Sequence, residues 1–280
     1  LKSKISEATG LKYQPVCLLW SDEKPEDAVQ FKKGKWGCTM WLVSNAAKGK
    51  ISCCDRNTFG CIGAGVGLGF GNQYKNFIGG EECFRYFLST GNKNWPKGKE
   101  NGTELKHYMQ DEFHDNYMNG EGYLKSPDHV ADFVRNLPIT EIPAKYVIFK
   151  SIELVDTEKE KPKSVIFFTD ADQLSALVIL ANYARKSNES VIIPYAAGCQ
   201  TLGIYPYREA ESENPRAVVG LTDISARIYI RSQLGEGLMT FTVPYKMFEE
   251  MESNVEGSFL ERPLWKELVE EKLGSISGGL

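Results

Sequence analysis

Histidine is scarce in this chain of 280 residues, occurring only at His107, His114 and His129. No H-E-x-x-H, G-x-S-x-G or C-x-x-C is present. A zincin helix, an α/β-hydrolase elbow and the usual paired-cysteine motif are therefore excluded. Nowhere does an apolar run reach the roughly 18 residues that a membrane helix needs. The formal net charge is −4, so the basic excess that grips nucleic acid is missing. The short run Phe31-Lys32-Lys33-Gly34-Lys35 reads as a solvated loop. The opening residues, Leu1 to Ser6, are polar and hold no signal-peptide core. The chain starts on Leu1 rather than Met, which leaves a removed leader open.

Cysteine is sparse as well. The seven are Cys17, Cys38, Cys53, Cys54, Cys61, Cys83 and Cys199. An odd number at this density does not make a disulfide scaffold. A reducing, cytoplasmic setting is the expectation. The rest of the composition, 42% hydrophobic and 25% charged, is that of a globular protein. A chain of this length buries roughly 75% of its unfolded surface and needs no metal or disulfide merely to fold.

The pattern along the chain predicts an α/β (or α+β) fold. Strands are expected at 15–20, 51–54, 146–149, 164–168 and 191–193, and again at 218–219, 227–231 and 239–243. The runs at 164–168 and 191–193 are continuously apolar, as in strands covered on both faces. Helices are expected at 25–31, 39–48, 104–118 and 264–273. Another follows Asp170 or Asp172, and one starts at Ser126-Pro127-Asp128, a cap followed by proline and an acid. Residues 91–102 read as an exposed loop, and the Gly/Ser-rich tail 274–280 as frayed.

The two halves also echo one another. With 45–48 laid over 182–185, Cys61 falls near Cys199, and Leu68-Gly69-Phe70 matches Leu202-Gly203-Ile204. Further on, Phe84-Arg85-Tyr86-Phe87 matches Ala226-Arg227-Ile228-Tyr229. The expectation is one globular domain over 1–280. Duplicated strand–helix–strand units would form two similar lobes, 11–90 and 144–250, with a helical connection at 91–143. Under that plan Cys61 and Cys199 occupy equivalent loops after strands, where open α/β sheets bind ligands.

Glycine-cysteine before a helix (Gly37-Cys38), then Asp55, then Cys61-Ile62-Gly63-Ala64-Gly65 with Leu68-Gly69, then Ala197-Gly198-Cys199, form an ordered series. The series resembles the domain of unknown function 169 family, of ArCR type, over about Ile5 to Gly274. The resemblance implies a prokaryotic, intracellular and anaerobic setting but no activity. It implies that Cys38, Cys61 and Cys199 matter. Relatives are more cysteine-rich near the position of Ser225. This chain has no cysteine there, which departs from a four-thiolate set.

Soft thiolates bind zinc, copper(I) or iron–sulfur clusters. The candidate ligands are Cys61 and Cys199 with Cys38, Cys53 or Cys54, while Cys17 reads as core and Cys83 as core or part of the same loop. The glycine stretch from Gly63 through Gly65 and Gly67 to Gly71 misses the dinucleotide spacing, because Leu68 stands where a third glycine belongs. Its backbone amides still suit a bound anion, or the glycines allow two backbones to touch. Asp55, between Cys54 and Cys61, is a site candidate or a loop cap. Arg85 and Arg227 recur at matching repeat positions and suit an anionic ligand or pair with acids. His107, Asp111 and His114 would share one helix face and offer a weaker metal set.

Three functions are compatible with these residues. The leading one binds a metal, iron–sulfur cluster or small cofactor in a Cys/Gly-lined cleft, with a redox link. The second is a non-catalytic module for a small anionic metabolite, and the third a thiol-dependent enzyme. The expected partner is a small molecule or metal, not nucleic acid or membrane. A homo-oligomer is compatible with the sequence, which contains nothing that decides it.

Overall fold

Strands whose apolar runs show no polar alternation need cover on both faces, and the architecture supplies it. The computed structural model describes residues 2–107 and 111–269. It has two compact units, one of residues 1–70 with 141–280 and one of residues 71–140. The first 70 residues carry α1 (Lys4–Thr9), β1 (Val16–Ser21), α2 (Thr39–Ala47), β2 (Ser52–Cys54) and α3 (Ile62–Gly67). The unit 71–140 holds α4 (Gly80–Leu88), α5 (Gly98–Leu105), α6 (Asp111–Asn119) and α7 (Pro127–Asn136). The chain then adds β3 (Tyr146–Ser151), β4 (Ser164–Thr169), α8 (Ala171–Asn182), β5 (Val191–Ile192), α9 (Gly198–Leu202) and α10 (Ile204–Ala210). It closes with β6 (Ala217–Gly220), α11 (Ile224–Leu234), β7 (Met239–Pro244) and α12 (Tyr245–Ser253).

The seven strands form one mixed sheet in the order β2-β3-β1-β4-β7-β6-β5. Every neighbouring pair is antiparallel except β5 and β6. Side chains alternate across it. Cys17, Leu19, Val165, Phe167, Phe241 and Val243 point into one core with α8 and α12. Val16, Leu18, Ile166 and Phe168 are equally buried on the other face, where α2, α9 and α10 pack. Helices α2 and α8, which the sequence echo lays over one another, thus cover opposite faces. Cys17 and Cys53 lie in the first core. Burial pushes the Cys17 thiol up to about 12 and that of Cys53 up to about 11.

Four sequence expectations are corrected. No helix forms at 25–31. Instead the Val29 amide donates to Ile51 O at 2.8 Å and the Cys53 amide to Val29 O at 2.8 Å, so this segment covers the outer edge of β2. Residues 227–231 are not a strand but part of α11, whose buried positions Ala226, Ile230 and Leu234 recur at helical spacing. Nor is the glycine run from Gly63 an open loop, because α3 takes it through Gly67. In the unit 71–140, residues 91–102 are not all exposed: Asn92 and Trp95 are buried, and α5 begins at Gly98. There the Cys83 sulfur lies 3.1 Å from the Tyr117 hydroxyl and 3.3 Å from Asn92 Oδ1, packed as core. The expected helix at 104–118 is α5 and α6, with 108–110 outside the described residues. The C-terminal helix is seen over 263–269, and its remainder with the tail lies outside them too.

Capping fixes where α8 starts. The Asp170 carboxylate accepts from the Asp172 and Gln173 amides, each at 3.0 Å, while Gln173 Oε1 accepts from the Asp170 amide at 3.1 Å. The Gln173 amide group also donates to Thr9 O and Gly10 O, tying the end of α1 to the start of α8. Asp170→Ala removes the reciprocal cap and should cost about 1 kcal/mol of stability, read as a lower urea midpoint with an unchanged slope.

Candidate functional site

Cys38, Cys61 and Cys199 each stand at or next to a helix start in the larger unit. Cys38 precedes α2 in extended backbone, with φ −87° and ψ 130°. Cys61 precedes α3 in the same way, with φ −97° and ψ 159°, and Cys199 is the second residue of α9. Backbone contacts made by glycine bring them together. Gly60, at φ 87°, runs against Gly37, and a Cβ there would overlap the Gly37 carbonyl oxygen. The residues just before Cys61 and Cys38 are therefore in direct contact. A Cβ on Gly67 would sit 2.7 Å from both Cys199 C and Gln200 N, and 2.9 Å from Cys199 Sγ. Gly203 meets the Gly67 carbonyl oxygen from the other side. The echoed segments Leu68-Gly69 and Leu202-Gly203 thus belong to one helix–helix contact that requires small residues on both sides.

The sequence did not single out Asp223, the cap of α11. Its carboxylate accepts from the Ala226 amide at 2.6 Å and from the Gly198 amide, one residue before Cys199. Thr222 Oγ1 donates to Pro194 O at 2.9 Å and accepts from the Ala196 amide at 3.4 Å, fastening the loop that leads into α9. Between β6 and this cap, Leu221 adopts φ 64°, the only positive φ outside glycine among the described residues. A buried leucine held there is strained by about 1–3 kcal/mol. The signal for Asp223 in the sequence is local: an aspartate three residues before Ala226, in the place of a helix cap.

Burial is the largest cause raising the pKa of each thiol and of the Asp223 carboxyl. The groups also act on one another. Cys61 and Asp223 raise Cys38, Asp223 raises Cys61, and Cys61, Cys38 and Asp223 all raise Cys199. The Ala64 and Gly63 amides at the start of α3 oppose burial at Cys61 without overcoming it. Among the described residues, no lysine or arginine contributes to the shifts at Cys38 or Asp223. The Tyr229 phenol is raised by burial and then by Cys38 and Cys61, and its ring lies 6.1 Å from that of Trp36.

The remaining candidates lie elsewhere. Cys53 and Cys54 are buried on β2; burial, then Cys53 and Asp55, raise Cys54, and none of the three clustered cysteines contributes. The Asp55 carboxylate accepts from the Asn57 amide at 2.7 Å and the Thr58 hydroxyl at 2.9 Å, closing a turn. Gly65 and Gly67 are buried within α3, and Gly63 is half-buried. Arg85, in the smaller unit, pairs with Glu81 at 2.9 Å. Arg227 donates to Leu221 O and approaches Met239 Sδ. His114 bonds Gly102 O, and His107 lies on a turn after α5 rather than on one helix with it. Among the described residues, no group of three or more His, Cys, Asp or Glu side chains is placed so that it could hold a metal ion. No described helix is long and apolar enough to cross a membrane.

The family model for domain of unknown function 169, described as uncharacterised ArCR, matches residues 4–254. The chain belongs to this family. No curated protein and no solved structure matches it. The matched span contains all three clustered cysteines and Asp223, so in this DUF169 protein the cluster belongs to the family domain.

Two outcomes follow from the geometry. Gly67→Ala pushes a methyl into the α9 backbone and should cost about 1–3 kcal/mol while raising the reactivity of Cys199 toward a thiol reagent. The folded pKa of each clustered thiol lies above the ordinary value of 9.0. The stability each one contributes is complete below that value and is lost as pH rises toward the folded one. The urea midpoint of metal-free protein should fall between about pH 8 and 10.5, and fall less steeply in Cys199→Ser.

Proposed function

We propose that Cys38, Cys61 and Cys199 hold a soft metal ion or a small iron–sulfur cluster through their thiolates, and that this centre is the working part of the protein. One observation carries the reading: glycine contacts at Gly37, Gly60 and Gly67 hold the helix starts of Cys38, Cys61 and Cys199 against one another, close enough that Cys61 and Asp223 raise Cys38 and that Cys38, Cys61 and Asp223 raise Cys199. With their pKa raised above the ordinary value, the three thiols stay protonated by themselves near neutral pH. A bound cation reverses the balance, since it deprotonates a coordinating thiol outright and releases protons as it binds. Thiolates also select soft metals over magnesium or calcium. Because no three donors already stand at ligand spacing, binding draws the sulfurs inward and couples occupancy to the packing of α2, α3 and α9.

The thiol-enzyme alternative needs the opposite electrostatics. A nucleophilic cysteine has a lowered pKa beside a cation, whereas these thiols are all raised, and Arg56 is turned away to Glu141 at 2.6 Å. A module for an organic anion has less support too, because Arg85 pairs with Glu81 and Gly67 is spent on helix contact.

Anaerobic purification, metal analysis and a visible spectrum test the reading. The native protein should carry stoichiometric zinc or iron, and Cys38→Ser, Cys61→Ser and Cys199→Ser should each lose most of it. Cys17→Ser should keep it. A metal-free native protein that gains no metal on reconstitution overturns the proposal, as do three serine variants that retain full occupancy.

A further inference from the structure

The two edges of the sheet differ. At one, the bridge between Val29 and Ser52 covers β2. At the other, β5 ends the sheet, and among the described residues no strand or bridge lies beyond it. An open edge presents unpaired amides and carbonyls, and proteins that stay monomeric commonly guard it with charged side chains. Residues 190–195, Ser-Val-Ile-Ile-Pro-Tyr, carry no charge. Pro194 follows the strand, and its ring disfavours helical backbone at Ile193, which keeps that residue extended.

The register decides which groups face outward. β5 runs parallel to β6, with Val191 opposite Ala217 and Ile192 opposite Val218, and the Ala217 amide donates to Ser190 O at 2.9 Å. In a parallel ladder with that bond, the amide and carbonyl of Ile192 both turn toward β6. Those of Val191 and Ile193 point away from the sheet. The side chains of Val191 and Ile193 share the face of Ala217 and Val219, which belong to the core with α8 and α12. Val191 packs against that core, but Ile193 is 66% exposed. The Thr222 hydroxyl holds Pro194 O at 2.9 Å, and two residues beyond that contact Ile224 is 61% exposed.

We propose that this edge is an interface for a second copy of the chain, whose β5 pairs antiparallel with it about a two-fold axis at Ile192. The axis sets Ile192 against the partner's Ile192 and Val191 against the partner's Ile193. The outward groups of Val191 and Ile193 then exchange hydrogen bonds, while Ile192 faces its own copy without them. That alternation is what an antiparallel ladder requires. The apolar faces coincide, so the partner's Val191 covers each exposed Ile193 and the core continues across the axis. A two-fold interface is self-complementary, and a charge near its axis would meet its own copy. The uncharged segment 190–195 meets that electrostatic condition, which an unrelated extended peptide would not impose.

Sedimentation equilibrium over a range of concentrations, with directed cross-linking, tests the pairing. The native protein should reach twice the chain mass of 31.4 kDa. Ile193→Lys alters a side chain that is exposed in the single chain, so it should keep the urea midpoint and halve the mass. Leu154→Lys, at a 46% exposed position after β3 near the other edge, should leave the dimer intact. Facing residues of a non-hydrogen-bonded pair have Cα atoms about 4.5 Å apart, within disulfide reach. Ile192→Cys should therefore give a cross-linked dimer with oxidised glutathione, and Val191→Cys should not. A native protein that stays monomeric at every concentration overturns the inference. So does a dimer that Ile193→Lys leaves unchanged, or one cross-linked by Val191→Cys and not by Ile192→Cys. None of these outcomes bears on the metal reading, which metal analysis tests separately.

Discussion

Backbone contact without side chains between is the constraint on which the site depends. Where Gly60 meets Gly37, and where Gly67 meets the first turn of α9, two chains approach more closely than any Cβ permits. These contacts place Cys38, Cys61 and Cys199 together although 161 residues separate the first from the last. They also exclude water from between α3 and α9, and in that dry setting a charge is expensive. The Asp223 carboxylate adds a polar brace, bonding the start of α9 to the start of α11. The sheet beneath supplies the rigid platform, with α2, α9 and α10 seated on one of its two buried faces.

The chemistry follows from the same packing. Burial holds the three thiols and Asp223 toward their neutral forms, and neighbouring negative charge adds to it at the thiols. On the proposed reading such a site takes up a cation, and sulfur narrows the choice to soft metals. Strain at Leu221 fits the same account, since an unfavourable backbone conformation persists where the surrounding structure over-determines it.

Much of the fold was legible. Strands β1, β4, β6 and β7 and helices α2, α7 and α8 lie where apolar runs and caps put them, because those signals are local. The misreadings come from tertiary demands. Ile228 and Ile230 alternate as in a strand, yet α11 buries Ile230 and leaves Ile228 in solvent. Residues 25–31 looked helical by their acidic start but pair with β2 instead. Glycines from Gly63 read as a loop suited either to an anion or to contact between two backbones, and their helical form and the contact at Gly67 depend on α9, a segment more than 130 residues away. Of five cysteines put forward, the structure gathers Cys38, Cys61 and Cys199 and leaves Cys53 and Cys54 on β2. The sequence had no means of separating these sets, because adjacent cysteines on a strand point to opposite faces. Asp223 was missed for the same reason: its part depends on Gly198, which only the fold brings near.

The central claim is that thiolates from three separate elements converge on one metal. X-ray absorption at the edge of the metal carried by anaerobically purified protein counts those ligands directly. The account predicts three sulfur ligands from the protein at about 2.3 Å for zinc, falling to two in Cys199→Ser. A first shell made only of nitrogen and oxygen, or a sulfur count unchanged in that variant, would contradict it.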